Sequence, residues 1–201
     1  MDGDMGPEAS VTVVLVEGDS DRLAVEALAA RLGCDLAAAG VRVVSMDGVT
    51  NLHRHLGELA GRRPRPRVLG LFDAAEIGYV CRAVDDAGLG SVATLDELAA
   101  LGFFACDPDL EGELIRALGV VRMQELLAEH GELVRFRGFQ HQPAQRVRAT
   151  DAQLRRFLGT HAGRKAQFAP LMIDALEESR IPAAMRELVE TAVERASAPR
   201  R

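Results

Sequence analysis

The chain of 201 residues is 48% hydrophobic and 27% charged, enough to bury the core of one domain with an appendage or of two small ones. No apolar run nears membrane-spanning length, and the first ten residues hold three acids, two glycines and a proline without a basic or apolar leader pattern. These features argue against a membrane span, and residues 1–10 read as a disordered tail rather than a signal peptide.

The strand pattern begins at Val11–Val16, an unbroken β-branched run that reads as a central parallel strand buried on both faces. It ends on Glu17-Gly18-Asp19-Ser20-Asp21, where Asp19 or Ser20 can cap a helix bearing Leu23, Ala24, Ala27, Leu28 and Leu32 at helical spacing. A second strand, Val41–Met46, turns at Asp47-Gly48 into a helix from about Val49 to Leu59. A Pro/Arg linker, Gly61–Pro66, leads to a third strand, Val68–Phe72, which ends on Asp73. Ala74–Asp86 reads as a helix closed by Gly88, Asp96–Ala100 as a helical turn, and Phe103–Cys106 as a fourth strand ending on Asp107. Strand and helix alternate, which predicts an α/β fold with right-handed crossovers and a parallel sheet of about four strands flanked by helices.

After Leu110 the strand signal is lost. Leu114–Leu118, Val120–Glu129, Asp151–Leu158, Gly163–Glu178 and Pro182–Ala196 favour helix, with Asp151 a candidate N-cap and Pro182 a candidate first-turn proline. Leu133–Ala149 fits neither pattern cleanly. The expected organisation is a tail over 1–10, an α/β domain over 11–118, a mostly helical extension over 119–196 and a tail over 197–201. Cys34, Cys81 and Cys106 are widely spaced and odd in number, so they read as reduced core residues of a cytoplasmic protein.

Charge is unevenly divided. Residues 1–121 hold 10 Arg against 20 Asp/Glu, whereas residues 122–201 hold 14 Lys/Arg against 10 Asp/Glu. Over 135–165, Arg135, Arg137, Arg146, Arg148, Arg155, Arg156, Arg164 and Lys165 are opposed only by Asp151. A solvated helix face explains such a bias as readily as a polyanion does, so it needs a site beside it.

The site is predicted by where the acids fall. Three of the four strands end on them: Glu17 with Asp21, Asp73 with Glu76, and Asp107, Asp109, Glu111 and Glu113. In a parallel sheet those ends share one edge, where carboxylates repel and must protonate or share a cation. An all-oxygen set suits Mg²⁺ or Mn²⁺, and phosphodiester cleavage commonly uses two such ions about 3.5–4 Å apart. Asp19 and Ser20 read as caps, Asp47-Gly48 as a turn, and Glu113 as a solvated residue that complements its helix dipole.

Val14-Leu15-Val16-Glu17-Gly18-Asp19-Ser20-Asp21 resembles the first motif of Toprim domains, closest to the V-E-G-x-S-D of the OLD (overcoming lysogenization defect) nucleases. The strand ending on Asp73 falls where the family has its aspartate motif, and Asp109-Leu110-Glu111 where OLD-type members have D-L-E. The run Asp107–Glu113 also resembles the D-P-D-R-E-G-E of type IA topoisomerases, with Leu110 in place of arginine. The resemblance covers roughly residues 11–118. It implies a Toprim fold and a divalent-metal endonuclease: Glu17 and Asp73 hold one ion with Asp21 close by, and Asp109 and Glu111 a second, with Glu76 placed to substitute for the second acid of the aspartate motif.

The family also carries a downstream lysine that approaches the substrate phosphate, and the only lysine of this chain is Lys165. A compact ammonium reaches a non-bridging oxygen in a way a guanidinium does not. Glu17 and Lys165 are therefore the expected catalytic residues, and Arg146, Arg148, Arg155, Arg156 and Arg164 the expected grip on a nucleic-acid backbone, DNA ahead of RNA. Two departures stand out. The aspartate motif reads Asp73-Ala74-Ala75 rather than D-x-D, and no G-x-x-x-x-G-K-[ST] loop is present, so nucleotide hydrolysis is expected from a partner ATPase. The missing acid favours an alternative: a catalytically weak module that binds metal, nucleotide or a partner. A flavodoxin-like or receiver domain shares the sheet and acids but leaves the distal lysine and basic segment unexplained.

Overall fold

The computed structural model describes residues 11–161 and 163–194; the expected tails, the end of the last expected helix and Ala162 lie outside them. Four parallel strands, β1 (Thr12–Val16), β2 (Val41–Ser45), β3 (Arg67–Asp73) and β4 (Phe103–Cys106), lie in the order β2-β1-β3-β4. Thr12 of β1 registers with Val41 on one side and Arg67 on the other, so the sheet is in step along its length.

The unbroken apolar character of β1 follows from its two covered faces. Val14 and Val16 join one core and Val13 and Leu15 the other. Gly70 on β3 has a steric reason: a Cβ there would stand 2.6 Å from the ring of Phe103, its register partner on β4. Bringing these two strands together therefore needs a residue without a side chain.

On one face the crossover helices α2 (Leu52–Ala60) and α3 (Ile77–Asp86), with the short α4 (Leu95–Leu101), cover the smaller core. The other face is thicker. Here α1 (Asp19–Arg31) is joined by α5 (Leu110–Leu118), α6 (Val120–Glu129), α7 (Leu133–Gln140), α8 (Pro143–Arg146), α9 (Thr150–Leu158), α10 (Arg164–Ala175) and α11 (Ala183–Glu194). Phe168, Met172 and Ile173 of α10 and Met185 and Leu188 of α11 share one core with Val14 and Val16 of β1. Arg31 at the end of α1 donates to the carbonyls of Ile173 and Leu176, so the last turn of α10 is satisfied by the first helix.

Several boundaries differ from the sequence reading. Neither Asp19 nor Ser20 caps α1: Gly18 is the N-cap, and Asp21 reaches back so that its Oδ2 accepts from Gly18 N at 2.9 Å. α5 starts at Leu110 rather than Leu114 because Asp109 caps it, and Leu133–Ala149 contains the two helices α7 and α8. Asp151 sits in the first turn of α9, whose N-cap is Ala149. α10 stops at Ala175, short of the expected Glu178, with Pro170 inside it. Pro182 precedes α11 and its carbonyl accepts from Arg186 N.

Candidate active site

The strand ends converge at the carboxyl edge, where Glu17 follows β1, Asp73 ends β3 and Asp109 follows β4. A single turn, Ala74–Glu76, returns the chain after Asp73 and sets Glu76 against Glu17. Burial, then Glu76, raises the Glu17 carboxyl above its ordinary range, against the pull of Lys165. Burial is also the first cause at Asp73, followed by Glu17, Asp109, Asp21 and Glu111; together they push it up to about 7. Asp21 is pushed up to about 6 by burial, even though it accepts the Gly18 N–H. Mutual repulsion among desolvated acids is the condition that a bound cation relieves.

Asp109 and Glu111 lie in a different environment. Both are buried, at 8% and 3% exposure, on the first turn of α5. Asp109 Oδ1 accepts from Gly112 N at 2.8 Å as the helix cap, and its Oδ2 takes Arg155 Nε at 2.6 Å together with Nη2 of the same guanidinium. Gly112 admits this cap because a Cβ there would press on Pro108 Cδ at 2.9 Å and on Asp109 Oδ1 at 3.0 Å. Glu111 Oε2 takes Lys165 Nζ at 2.9 Å, whereas its Oε1 is buried with no partner. Burial disfavours the ammonium of Lys165, but Glu111 outweighs it and the lysine titrates above its ordinary value.

Glu113 is not the solvated residue expected. It is half-buried, its Oε1 accepts from Asp107 N at 3.2 Å, and burial raises its carboxyl. Its Oε2 has no partner, and it leads the charges that, after burial, drive the Cys106 thiol up.

Among the described residues, no three His, Cys, Asp or Glu side chains form a ready-made metal cage. A hard cation such as Mg²⁺ does not require one, because it keeps several waters and takes one or two carboxylates plus substrate phosphate. The donor chemistry fits that mode: oxygen ligands, upward-shifted Glu17, Asp21 and Asp73, and an orphaned oxygen on Glu111.

Beside the acids runs an open groove of about 510 Å³ lined by Asp109, Phe139, Arg148, Arg155, Arg156, Thr160 and Lys165. Arg148, Arg155 and Arg156 thus gather on the wall next to Lys165, as the charge bias implies. Arg146 is exposed on α8, donates to the His141 carbonyl at 2.8 Å and does not line the groove. Arg164 is elsewhere in the energetics. Only 6% exposed, it stacks over the Phe157 ring at 4.0 Å and donates to the Phe157 carbonyl and Thr160 Oγ1. It also pairs with Glu132 at 3.0 Å, so it anchors the start of α10 instead of facing a ligand.

Sequence reasoning missed Gln153. It is buried on α9 and donates to the carbonyls of Gln145 and Arg148 while accepting from Gln140 at 2.6 Å. It ties down the segment that presents Arg148. A polar residue at an inward helical position of α9 was the available signal.

Residues 10–60 match the family model described as "Overcoming lysogenization defect protein-like, TOPRIM domain". The C-terminal region of the Xanthomonas campestris pv. campestris OLD protein is 23% identical and superposes with a TM-score of 0.70, covering 92% of this chain and 95% of that one. The C-terminal region of the Burkholderia pseudomallei OLD protein is 18% identical, with a TM-score of 0.67, over 94% and 99% of the two chains. A search of curated proteins found no match. The resemblance read from the first motif thus holds, and the fold is that of an OLD C-terminal region.

Proposed function

We propose, from an OLD-like Toprim segment set on the fold of OLD C-terminal regions, that the chain is a divalent-metal-dependent nuclease that cuts nucleic-acid phosphodiesters. One observation carries the reading: acids from three strand ends meet at one rim, and the chain's only lysine reaches them from a helix more than fifty residues downstream. Mg²⁺ or Mn²⁺, when bound, supplies Lewis acidity toward phosphate oxygens and water.

Glu17 and Asp73 would hold the cation, with Asp21 close by, and Glu76 adds its charge from the turn where Ala75 brings none. Lys165 orients on Glu111 and presents its ammonium at the groove, where it meets charge growing on a non-bridging phosphate oxygen. Arg148 and Arg156 hold the backbone phosphates without reading sequence. Arg146 is tied to the His141 carbonyl and lies outside the lining of the groove, and Arg164 acts by packing. DNA is the first substrate to test, and any nucleotide hydrolysis is assigned to a partner ATPase.

Supercoiled plasmid is the direct assay. With Mn²⁺ or Mg²⁺ the chain nicks it, Glu17→Ala abolishes nicking, and Lys165→Ala slows it by roughly 10²–10³-fold. Ala75 favours a second reading, a metal-binding module without turnover. Intact Mn²⁺ binding with no cleavage in any metal would establish that module and sink the nuclease.

A further inference from the structure

The rim treats its acids in two ways. Among the described residues, no hydrogen bond or ion pair engages the side chains of Glu17 and Asp73, which stand at the ends of β1 and β3. Asp109 and Glu111 are already neutralised. Asp109 spends one oxygen on the α5 cap and the other on two nitrogens of Arg155, and Glu111 spends one on Lys165. Two carboxylates facing a guanidinium and an ammonium balance in formal charge, the balance one divalent ion would provide. The acid that a D-x-D motif would add to that side is replaced by Ala75.

A second ion held by Asp109 and Glu111 would have to displace Arg155 or take an oxygen from a helix cap, because both oxygens of Asp109 are engaged. It would also stand against the ammonium of Lys165, and it would shed water that Mg²⁺ gives up reluctantly. Glu111 Oε1 is left as a buried, unpartnered oxygen on that acid.

We propose that Arg155 and Lys165 take the place of the second divalent ion, so that the chain holds one resident ion at Glu17 and Asp73, with Asp21 close by. The remaining phosphate charge is met by a fixed guanidinium and ammonium, both of which suit phosphate oxygens. Arg155 thereby moves from a general backbone contact to the rim itself. The inference rests on the nuclease reading for its substrate and on the acid–base pairs for its stoichiometry.

Ion counting tests it without turnover. The full chain is titrated with Mn²⁺, with bound ion followed by calorimetry and free ion by electron paramagnetic resonance. One ion per chain is expected, lost in Asp73→Asn and kept in Glu111→Gln, with any second ion at least roughly 100-fold weaker. Replacing both cations, in Arg155→Met/Lys165→Met, raises the count to two.

Because Lys165 is the only lysine, reductive ¹³C-methylation marks it and the α-amine alone. Under the proposal its resonance keeps its Glu111-paired position at saturating Mg²⁺. Two ions of comparable affinity in the unmodified sequence, one of them lost in Glu111→Gln, with the Lys165 signal moving to that of a free side chain, would overturn the substitution and leave the nuclease reading standing. No ion bound at all would overturn both.

Discussion

Glu17 and Glu111 end up within electrostatic reach of each other, yet their surroundings differ in kind. Glu17 lies at the end of β1 among other acids, and its carboxyl is raised by burial and by Glu76. Glu111, more deeply buried at 3% exposure, pairs with Lys165 from α10. The first half of the rim gathers negative charge without an ion-pair partner among the described residues, and the second half is paired within the protein. Burial alone therefore does not say which acid is compensated; the partner supplied by another element does.

The largest effect separating the two halves is on turnover. Asp73→Asn removes an acid with no ion-pair partner among the described residues and is expected to lower plasmid nicking by at least ~10³-fold, with its fold intact by circular dichroism. Next comes stability on the paired side. Arg164→Met removes one of the two arginine partners of half-buried Glu132, leaving Arg135, and breaks the stack on Phe157, at a cost of about 1.5–3 kcal/mol in urea unfolding.

A third effect is on pH. Burial and neighbouring acids push Asp73 up to about 7 and Asp21 up to about 6 in the folded chain, above the ordinary aspartate range, so the native state holds protons that the unfolded chain has released. Stability contributed by this rim therefore falls as pH rises from about 4 to 7, and the penalty is full above that. Melting temperature measured at pH 5 and pH 8 should show Asp73→Asn stabilising more at pH 8, and Mg²⁺ should do the same for the unmodified chain. A gain larger at pH 5 would contradict the repulsive rim. The smallest effect is in the groove: Arg148→Ala should reduce the slope of log affinity against log salt by about 1, with little change in ion binding.

Much of the fold was readable in order along the chain. β1, β3 and β4 announce themselves because strands buried on both faces must be apolar throughout, and their terminal acids follow directly. The caps were less legible. Asp21 and Asp109 serve both as acids of the rim and as partners of backbone N–H groups, and type and spacing alone could not show that second role. Arg164 and Arg156 look alike in sequence, one helix apart. The turn at Gly163 and the aromatic ring of Phe157 decide that Arg164 is internal while Arg156 lines the groove.

The order of residues by itself determined a parallel α/β sheet, the gathering of carboxylates at one edge and the singular lysine, since each follows from periodicity or residue type within a short stretch. Only the tertiary structure decided which acids are compensated, because Arg155 and Lys165 lie 46 and 54 positions from Asp109 and Glu111. Whether a desolvated charge meets its opposite at that separation is set by how α9 and α10 pack onto α5, and no local pattern encodes it.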